Sequence, residues 1–122
     1  TLVHPSAVVA AEAELGEGVI ICPLVNVSPN VTLGRMCYLN FCIGIGHDAQ
    51  LGDYVQVNPG VQIGGFAQIG AGTLVGSGAT VREGVKIAED ATIGSGSVVF
   101  ARVSAGATVM GNPAKRMRAF EA

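Results

Sequence analysis

An aliphatic residue recurs at every sixth position from residue 3 to residue 99, without a change of phase. A period of six matches neither the 3.6-residue period of an α-helix nor the alternation of an ordinary strand. It is the hexapeptide repeat of a parallel β-helix, in which each hexad forms one flat side of a triangular coil. The pattern therefore predicts an all-β fold of about six coils, each of three hexads, over residues 1–110. These positions are Val3, Val9, Leu15, Ile21, Val27, Leu33, Leu39, Ile45, Leu51, Val57, Ile63, Ile69, Val75, Val81, Ile87, Ile93 and Val99.

The other hexad positions predict where each coil bends. With the aliphatic residue as position 1, position 5 is mostly small or apolar up to Val103 and Val109, as an inward position beside a bend requires. Glycine and asparagine recur at position 2, and both tolerate positive φ, so we expect corners there. Proline cannot donate to a strand ladder, which also favours corners at position 3. The position-2 residues are Gly16, Gly34, Asn40, Gly46, Gly52, Asn58, Gly64, Gly70, Gly76, Gly94 and Gly106, and the position-3 prolines are Pro5, Pro23, Pro29, Pro59 and Pro113.

Composition narrows the classes of function. A chain of 122 residues fits one domain, and its 49% hydrophobic but only 5% aromatic content suits a thin interior of Val and Ile. The net charge of −2 argues against a nucleic-acid partner. The sequence has no apolar run long enough to cross a membrane. Cys22, Cys37 and Cys42 lack metal-ligand spacing, so we expect a reduced, cytoplasmic setting with Cys37 in the core.

Residues 111–122 lack the hexad and are basic. Since a β-helix ends in open strand edges, we expect this segment to cover the last coil, and a short helix could do so. The predicted organisation is a β-helix over residues 1–110 and a C-terminal tail over 111–122. The first coil has no comparable cover in the sequence.

His47 and Asp48 are the candidate catalytic pair. His47 occupies position 3, so its side chain should project outward at a corner, and the adjacent carboxylate would fix its tautomer for general-base work. Gly65 follows one coil later, above His47, in the sequence's one Gly-Gly pair with Gly64. A bare backbone there leaves room for a substrate and offers an N–H to a developing oxyanion. The alternatives are a surface His-Asp pair without a role and an ordinary corner glycine at Gly64.

Several stretches resemble the sialic acid O-acetyltransferase and bacillosamine-type N-acetyltransferase family, and they cover nearly the whole chain in order. That resemblance implies the left-handed form of the β-helix. It also implies acetyl transfer from acetyl-CoA, without a required metal, to a hydroxyl or amine of a sugar or sugar nucleotide. The matching stretches are His4-Pro5-Ser6-Ala7, Leu39-Asn40, Gly46-His47-Asp48, Leu51-Gly52-Asp53-Tyr54, Pro59-Gly60, Gly64-Gly65 and Gly111-Asn112-Pro113-Ala114-Lys115.

The same resemblance assigns roles to individual residues. It implies His47 as general base, Asp48 as its orienting partner and Asn40 at the acceptor site. Acetyl-CoA would lie in a groove between subunits of a homotrimer, with the Gly65 amide on the acetyl carbonyl. The remaining positions implied for the acetyl donor are Gly64, Ser77 and Ser95 along its pantetheine arm and Lys115 and Arg116 at its phosphates.

The chain departs from the family in two ways. Gln56 stands where some members carry a second histidine, and the sequence begins where an N-terminal sugar-nucleotide subdomain would end. Acceptor binding is therefore the weaker half of the expected site. A trimer is also expected because the corner of His47, taken with Tyr54 and Phe66, lacks a concave pocket of its own.

Other functions remain open on the sequence. A γ-type carbonic anhydrase uses the same fold but needs three zinc-binding histidines, and this chain has only His4 and His47, which are not stacked. A non-catalytic β-helix scaffold and a truncated catalytic domain without its acceptor-binding part are the remaining alternatives.

Overall fold

A computed structural model describes residues 1–121 as a parallel β-helix of about six coils, in agreement with the predicted left-handed form. Three flat faces form its sides. The first face contains β1 (Leu2–Val3), β4 (Ile20–Ile21), β7 (Tyr38–Leu39), β10 (Gln56–Val57), β13 (Leu74–Val75), β16 (Thr92–Ile93), β18 (Thr108–Gly111) and β19 (Ala114–Arg116). The second contains β2 (Val8–Val9), β5 (Asn26–Val27), β8 (Gly44–Ile45), β11 (Gln62–Ile63), β14 (Thr80–Val81) and β17 (Val98–Val99). The third contains β3 (Glu14–Leu15), β6 (Thr32–Leu33), β9 (Gln50–Leu51), β12 (Gln68–Ile69) and β15 (Lys86–Ile87).

Each hexad residue has a fixed environment. The aliphatic residue at position 1 ends its strand and points into the prism, and Leu39, Val57 and Val75 are fully buried there. Position 5 fills the remaining interior, and position 6 faces outward. Strands β1 to β14 each pair in parallel with the strand three hexads further along the chain, as Val57 does with Val75. The core is therefore one continuous column of small and branched side chains.

The inward side chains of the first coil are more exposed than those of the central coils. Val3 is 42% exposed although it stands at the inward position, and Leu2 and Val8 are still more exposed. Among the described residues, no helix is long and apolar enough to cross a membrane.

The corners differ from the sequence-based expectation. Positive φ is found at position 4 and not at position 2, and it includes non-glycine residues such as Asp48 and Phe66. The position-2 glycines serve close packing instead: a Cβ on Gly16 would lie 2.6 Å from the carbonyl carbon of Gly34 in the next coil. Coil-to-coil stacking therefore excludes a side chain at that position, whereas the turn itself lies two residues later.

The three-hexad register breaks in the last coil. Val103 pairs with Ile87 and Val109 with Ile93, so each partner comes two positions earlier than a full coil would place it. The side between Val99 and Val103 is shorter than the others by the same amount. Val103 and Val109 therefore take the large inward position, which corrects their assignment to position 5, and Gly106 becomes a positive-φ position-4 residue.

The tail covers the last coil mainly with a strand. β19 pairs antiparallel with β18, and a short 3₁₀ helix follows at Arg118–Phe120. Pro113 lies in the connecting turn after a cis peptide bond, outside the coils, so its hexad position has no structural meaning. Ala114 packs against the core, and the last β-helix strand runs to Gly111. The tail prediction at Ala122 lies outside the described residues.

Candidate active site

The second corner, which follows the second face, carries the His-Asp pair. His47 Nδ1 lies 3.2 Å from Asp48 Oδ2. A carboxylate only accepts hydrogen bonds, so this contact places the proton on Nδ1 and leaves a lone pair on Nε2. The His47 side chain is more than half exposed, and so Nε2 is accessible from outside the prism.

Phe66 fixes the imidazole from the neighbouring coil. Its ring meets the His47 ring edge to face, with centroids 5.2 Å apart and planes at 88°. The Phe66 N–H donates to the His47 carbonyl at 2.9 Å, which fixes the register of the two successive coils at this corner. Such an aromatic contact restricts ring rotation and contributes about 0.5–1.5 kcal/mol. His47 is therefore held on one side by a carboxylate and on another by an aromatic ring.

Gly65 keeps the open nitrogen of the histidine unobstructed. A Cβ at this position would lie 3.2 Å from His47 Nε2 and 3.1 Å from the His47 carbonyl oxygen. Within residues 1–121, the Gly65 N–H donates to no protein acceptor. The bare backbone thus leaves space and an unused donor beside the base.

Gly64 has a different reason to be glycine. A Cβ there would lie 2.5 Å from the backbone nitrogen of Glu83, a clash of the kind that the position-2 glycines of neighbouring coils also avoid. Stacking therefore accounts for Gly64 but not for Gly65, whose neighbour is the catalytic candidate.

The other candidate residues lie away from His47 in the same chain. Asn40 is on the first corner, where its Oδ1 accepts the Phe41 N–H at 2.9 Å. Ser77 and Ser95 stack on that first corner one coil apart, as the Gly96 N–H bond to the Ser77 carbonyl indicates. One chain thus has the candidate base with Gly64 and Gly65 on the second corner, and Asn40, Ser77 and Ser95 on the first.

Tyr54 is not beside His47, contrary to expectation. It lies on the third corner, where the Arg35 guanidinium sits 5.8 Å from the centre of its ring. Asp53 accepts the Arg35 N–H at 2.8 Å on the same corner. Phe66 alone of the two aromatic residues accompanies the catalytic candidate.

Lys115 and Arg116, the two tail cations that the resemblance implies for phosphate, differ in availability. Arg116 forms a bidentate ion pair with Glu121, with contacts of 2.8 and 3.0 Å. Glu121 also accepts the Thr108 N–H, and the hydrogen bond from Arg116 is the main cause that lowers its pKa. Arg116 therefore stabilises the tail, while Lys115 has no ion-pair partner in the described part of the chain.

Sequence reasoning placed His47, Asp48 and Phe66 at this corner but missed two details of it. It assigned positive φ to position 2 and not to Asp48, and the edge-to-face geometry of the Phe66 and His47 rings emerges only when one coil is stacked on the next. Groups of three or more His, Cys, Asp or Glu side chains suited to hold a metal are absent from residues 1–121.

The described residues thus combine a β-helix of stacked hexads with a histidine that a carboxylate orients at an outer corner. Residues 66–101 match the family model described as bacterial transferase hexapeptide, six repeats. The chain therefore carries the repeat of the bacterial transferases and is similar to their sugar N-acetyltransferase members.

The similar proteins include three informative relatives. A GDP-perosamine N-acetyltransferase of Escherichia coli O157:H7 is 42% identical over 60 residues, which are 49% of this chain and 27% of that one. A mutant perosamine N-acetyltransferase of Caulobacter crescentus, solved with CoA and GDP-perosamine, is 31% identical with a TM-score of 0.93, over 94% of this chain and 55% of that one. The acetyltransferase domain of PglB from Neisseria gonorrhoeae is also 31% identical with a TM-score of 0.93, over 95% and 57%. The chain thus spans little more than half the length of the solved relatives.

Proposed function

We propose that this chain transfers an acetyl group from acetyl-CoA to an amine or hydroxyl of a sugar nucleotide, with His47 as general base. The observation that carries the proposal is the imidazole whose Nδ1 is held by Asp48 and whose Nε2 faces the bare backbone of Gly65. A base needs a free lone pair, a fixed tautomer and room for the acceptor, and this corner supplies all three.

The reaction follows from these atoms. His47 Nε2 takes the proton of the acceptor as its nitrogen or oxygen attacks the thioester carbonyl carbon. The tetrahedral oxyanion accepts a hydrogen bond from the Gly65 N–H, and Asp48 stabilises the imidazolium. Collapse of the intermediate breaks the carbon–sulfur bond, and the imidazolium returns its proton to the leaving CoA thiolate.

An amine is the favoured acceptor. Two of the similar proteins are perosamine N-acetyltransferases, one of them solved with GDP-perosamine, so an amino-sugar nucleotide is the first substrate to test.

The free cysteines and the use of CoA fit a reducing cytoplasmic compartment.

A homotrimer would complete the site between subunits. Asn40, Ser77 and Ser95 lie on the first corner. They therefore contact substrates bound at His47 only if the first corner of one subunit meets the second corner of another. Exposed apolar side chains concentrate on the first face and first corner, which supports burial there: Leu2, Leu24, Tyr38, Phe41 and Leu74.

The proposal is tested by CoA release with acetyl-CoA and GDP-perosamine as substrates. We expect His47→Ala to lower turnover about 10²–10⁴-fold while CoA binding stays within a few-fold, and Asp48→Asn to cost less. His4→Ala is the matched control, because His4 lies on the first corner of the first coil. Full turnover by His47→Ala would remove the base from the mechanism, and no CoA binding by calorimetry would favour a non-catalytic scaffold.

A further inference from the structure

Two unpaired cations stand next to each other at the C-terminal end of the third face. Lys86 and Arg102 line a groove of about 570 Å³ that runs along this face. Both side chains are exposed, and within residues 1–121 neither forms an ion pair or a hydrogen bond. They are therefore available to an anion from outside the chain.

The register break is what brings the two cations together. Val103 bridges to Ile87, so the residues just before them, Arg102 and Lys86, both point outward on adjacent rungs. An unbroken coil of three hexads would have placed Ser104 above Lys86. Adjacent strands lie about 4.8 Å apart, and like charges directly opposite each other destabilise a sheet. A bound anion would relieve that repulsion.

The rest of the groove suits a polar, negatively charged ligand. Gln50 and Gln68 stand in the same outward-facing row as Lys86, nearer the N-terminus. Gly52 and Gly70 line the groove at the third corner without side chains that would fill it. Among residues 1–121, no carboxylate side chain lines the groove, although the whole chain carries a net charge of −2. The local charge is thus opposite in sign to that of the molecule.

We propose that Lys86 and Arg102 form a phosphate-binding site. Two cations on adjacent rungs, with amide side chains alongside, match the several oxygens of a phosphate ester or a pyrophosphate. The shared chemistry is a phosphate-bearing anion, whether it is free in solution or part of a larger donor molecule.

The position of the groove connects it to the proposed chemistry. It passes Gln50, two residues after Asp48, and reaches Arg102 three strand spacings further, or about 14 Å away. A donor whose reactive end lies at His47 would therefore place a distant phosphate on the two cations. This identification of the ligand as the acetyl donor rests on the proposed function, whereas the anion site itself does not.

Direct binding measurements test the site. Calorimetry with adenosine 3′,5′-bisphosphate, pyrophosphate and pantetheine should be run on the full chain and on Lys86→Gln, Arg102→Gln and Arg35→Gln. The control residue Arg35 is an exposed cation on the third corner at the other end of the prism. We expect each groove variant to bind the bisphosphate about 10–100-fold more weakly, as for loss of a charge-assisted hydrogen bond. We expect Arg35→Gln to bind it normally and pantetheine binding to be unchanged in all variants.

The same experiment separates the possible sources of phosphate. Binding of pyrophosphate but not of the bisphosphate, with the same loss in both groove variants, would support the site for a free anion. Absence of binding by the unchanged protein, or equal binding by the groove variants, would overturn the site. Anion binding that is lost in the variants, together with failure of acetyl transfer, would overturn the proposed function and leave the site standing.

Thermal unfolding gives a second readout that does not depend on activity. Lys86→Gln removes one of two facing like charges, so without ligand its Tm at low salt should equal or exceed that of the unchanged protein. The bisphosphate should raise the Tm of the unchanged protein and not that of the variant. Equal ligand-induced shifts in both would contradict the proposal.

Discussion

The catalytic candidate depends on an unusual backbone conformation at one residue. Asp48 has a φ of 62°, in the left-handed region that costs a non-glycine residue about 1–2 kcal/mol. The neighbouring side chains of His47 and Asp48 nevertheless meet at 3.2 Å from this corner. Corner strain is thus coupled to the orientation of the base, because the coil fixes the turn and the turn fixes the carboxylate.

Gly64 and Gly65 form a matched pair for mutation. Gly65→Ala should leave the fold intact and lower turnover about 10–100-fold, because its Cβ would crowd His47 Nε2 at 3.2 Å and displace the reacting groups. Gly64→Ala should instead lower the free energy of unfolding by about 1–3 kcal/mol, since its Cβ meets the rigid backbone of Glu83. Urea unfolding and steady-state kinetics on both variants separate the effects. The reverse assignment of losses would contradict the role of Gly65.

The cysteines should differ in reactivity. Burial raises the pKa of the Cys37 thiol, and only the thiolate is nucleophilic, so this residue should react with a thiol reagent only when the chain unfolds. The exposed Cys42 should react in the native state near pH 8. Counting labelled thiols with and without denaturant, with Cys42→Ser as the control, checks this. Native-state labelling of Cys37 would mean that the central coils open.

At the scale of elements, the tail strand is closed by an ion pair. β19 covers β18, and Glu121 returns to bind both Arg116 and the Thr108 N–H. Arg116, one of the two cations that the family resemblance implies for phosphate, therefore stabilises the tail through this ion pair. The C-terminal segment thereby covers the outer edge of β18 with β19.

The tail should loosen in acid. The folded-state pKa of Glu121 lies below its ordinary value, chiefly because Arg116 hydrogen-bonds the carboxylate. The stabilisation is therefore fully present above the ordinary glutamate pKa and is lost as the pH falls through the lower folded value. Amide exchange at Thr108 and Met117 should accelerate over that acidic range and also at neutral pH in Glu121→Gln. Glu89→Gln, an exposed position without an ion pair, should leave exchange unchanged.

The sequence predicted the coils well and their details less well. The six-residue period alone specifies the inward residues, because a β-helix wall repeats the same environment at each turn. The pattern misplaced the positive-φ residues of the corners. Glycine is required at position 2 by the close approach of neighbouring coils, as at Gly16, and not by its φ angle. The pattern also missed the shortened last coil. Val103 and Val109 are aliphatic and fit either phase, so the mark that the sequence carries is the end of the aliphatic series at Val99, before Ala105.

At the scale of the whole molecule, a thin prism has one core and little concave surface. His47, the proposed base, is exposed on one corner, and Asn40, Ser77 and Ser95 lie on another corner of the same chain. Counting hexads in the sequence already separates Ser77 and Ser95 from the stack of His47 and Gly65. It does not state which corners meet between subunits.

Self-association is the corresponding prediction. Light scattering at micromolar concentration should give about 37 kDa, three times the chain mass of 12.3 kDa. Leu74→Glu on the apolar first face should shift the mass toward the monomer and lower turnover, because it charges the expected contact. Ala71→Glu on the exposed third corner is the control. A stable, active monomer would refute the shared site.

The break in register has a consequence for how substitutions are tolerated along the chain. In a solenoid each coil contacts only the coils above and below it, so stacked residues share one environment. A saturation scan of all positions should therefore show fitness values that correlate between residues one full coil, or three hexads, apart. Beyond Val99 the lag should shorten by two positions, in step with the pairing of Ile87 with Val103. A change of lag in the autocorrelation of growth or binding data would then reveal the shortened side. A constant lag as far as Val109 would contradict the altered pairing.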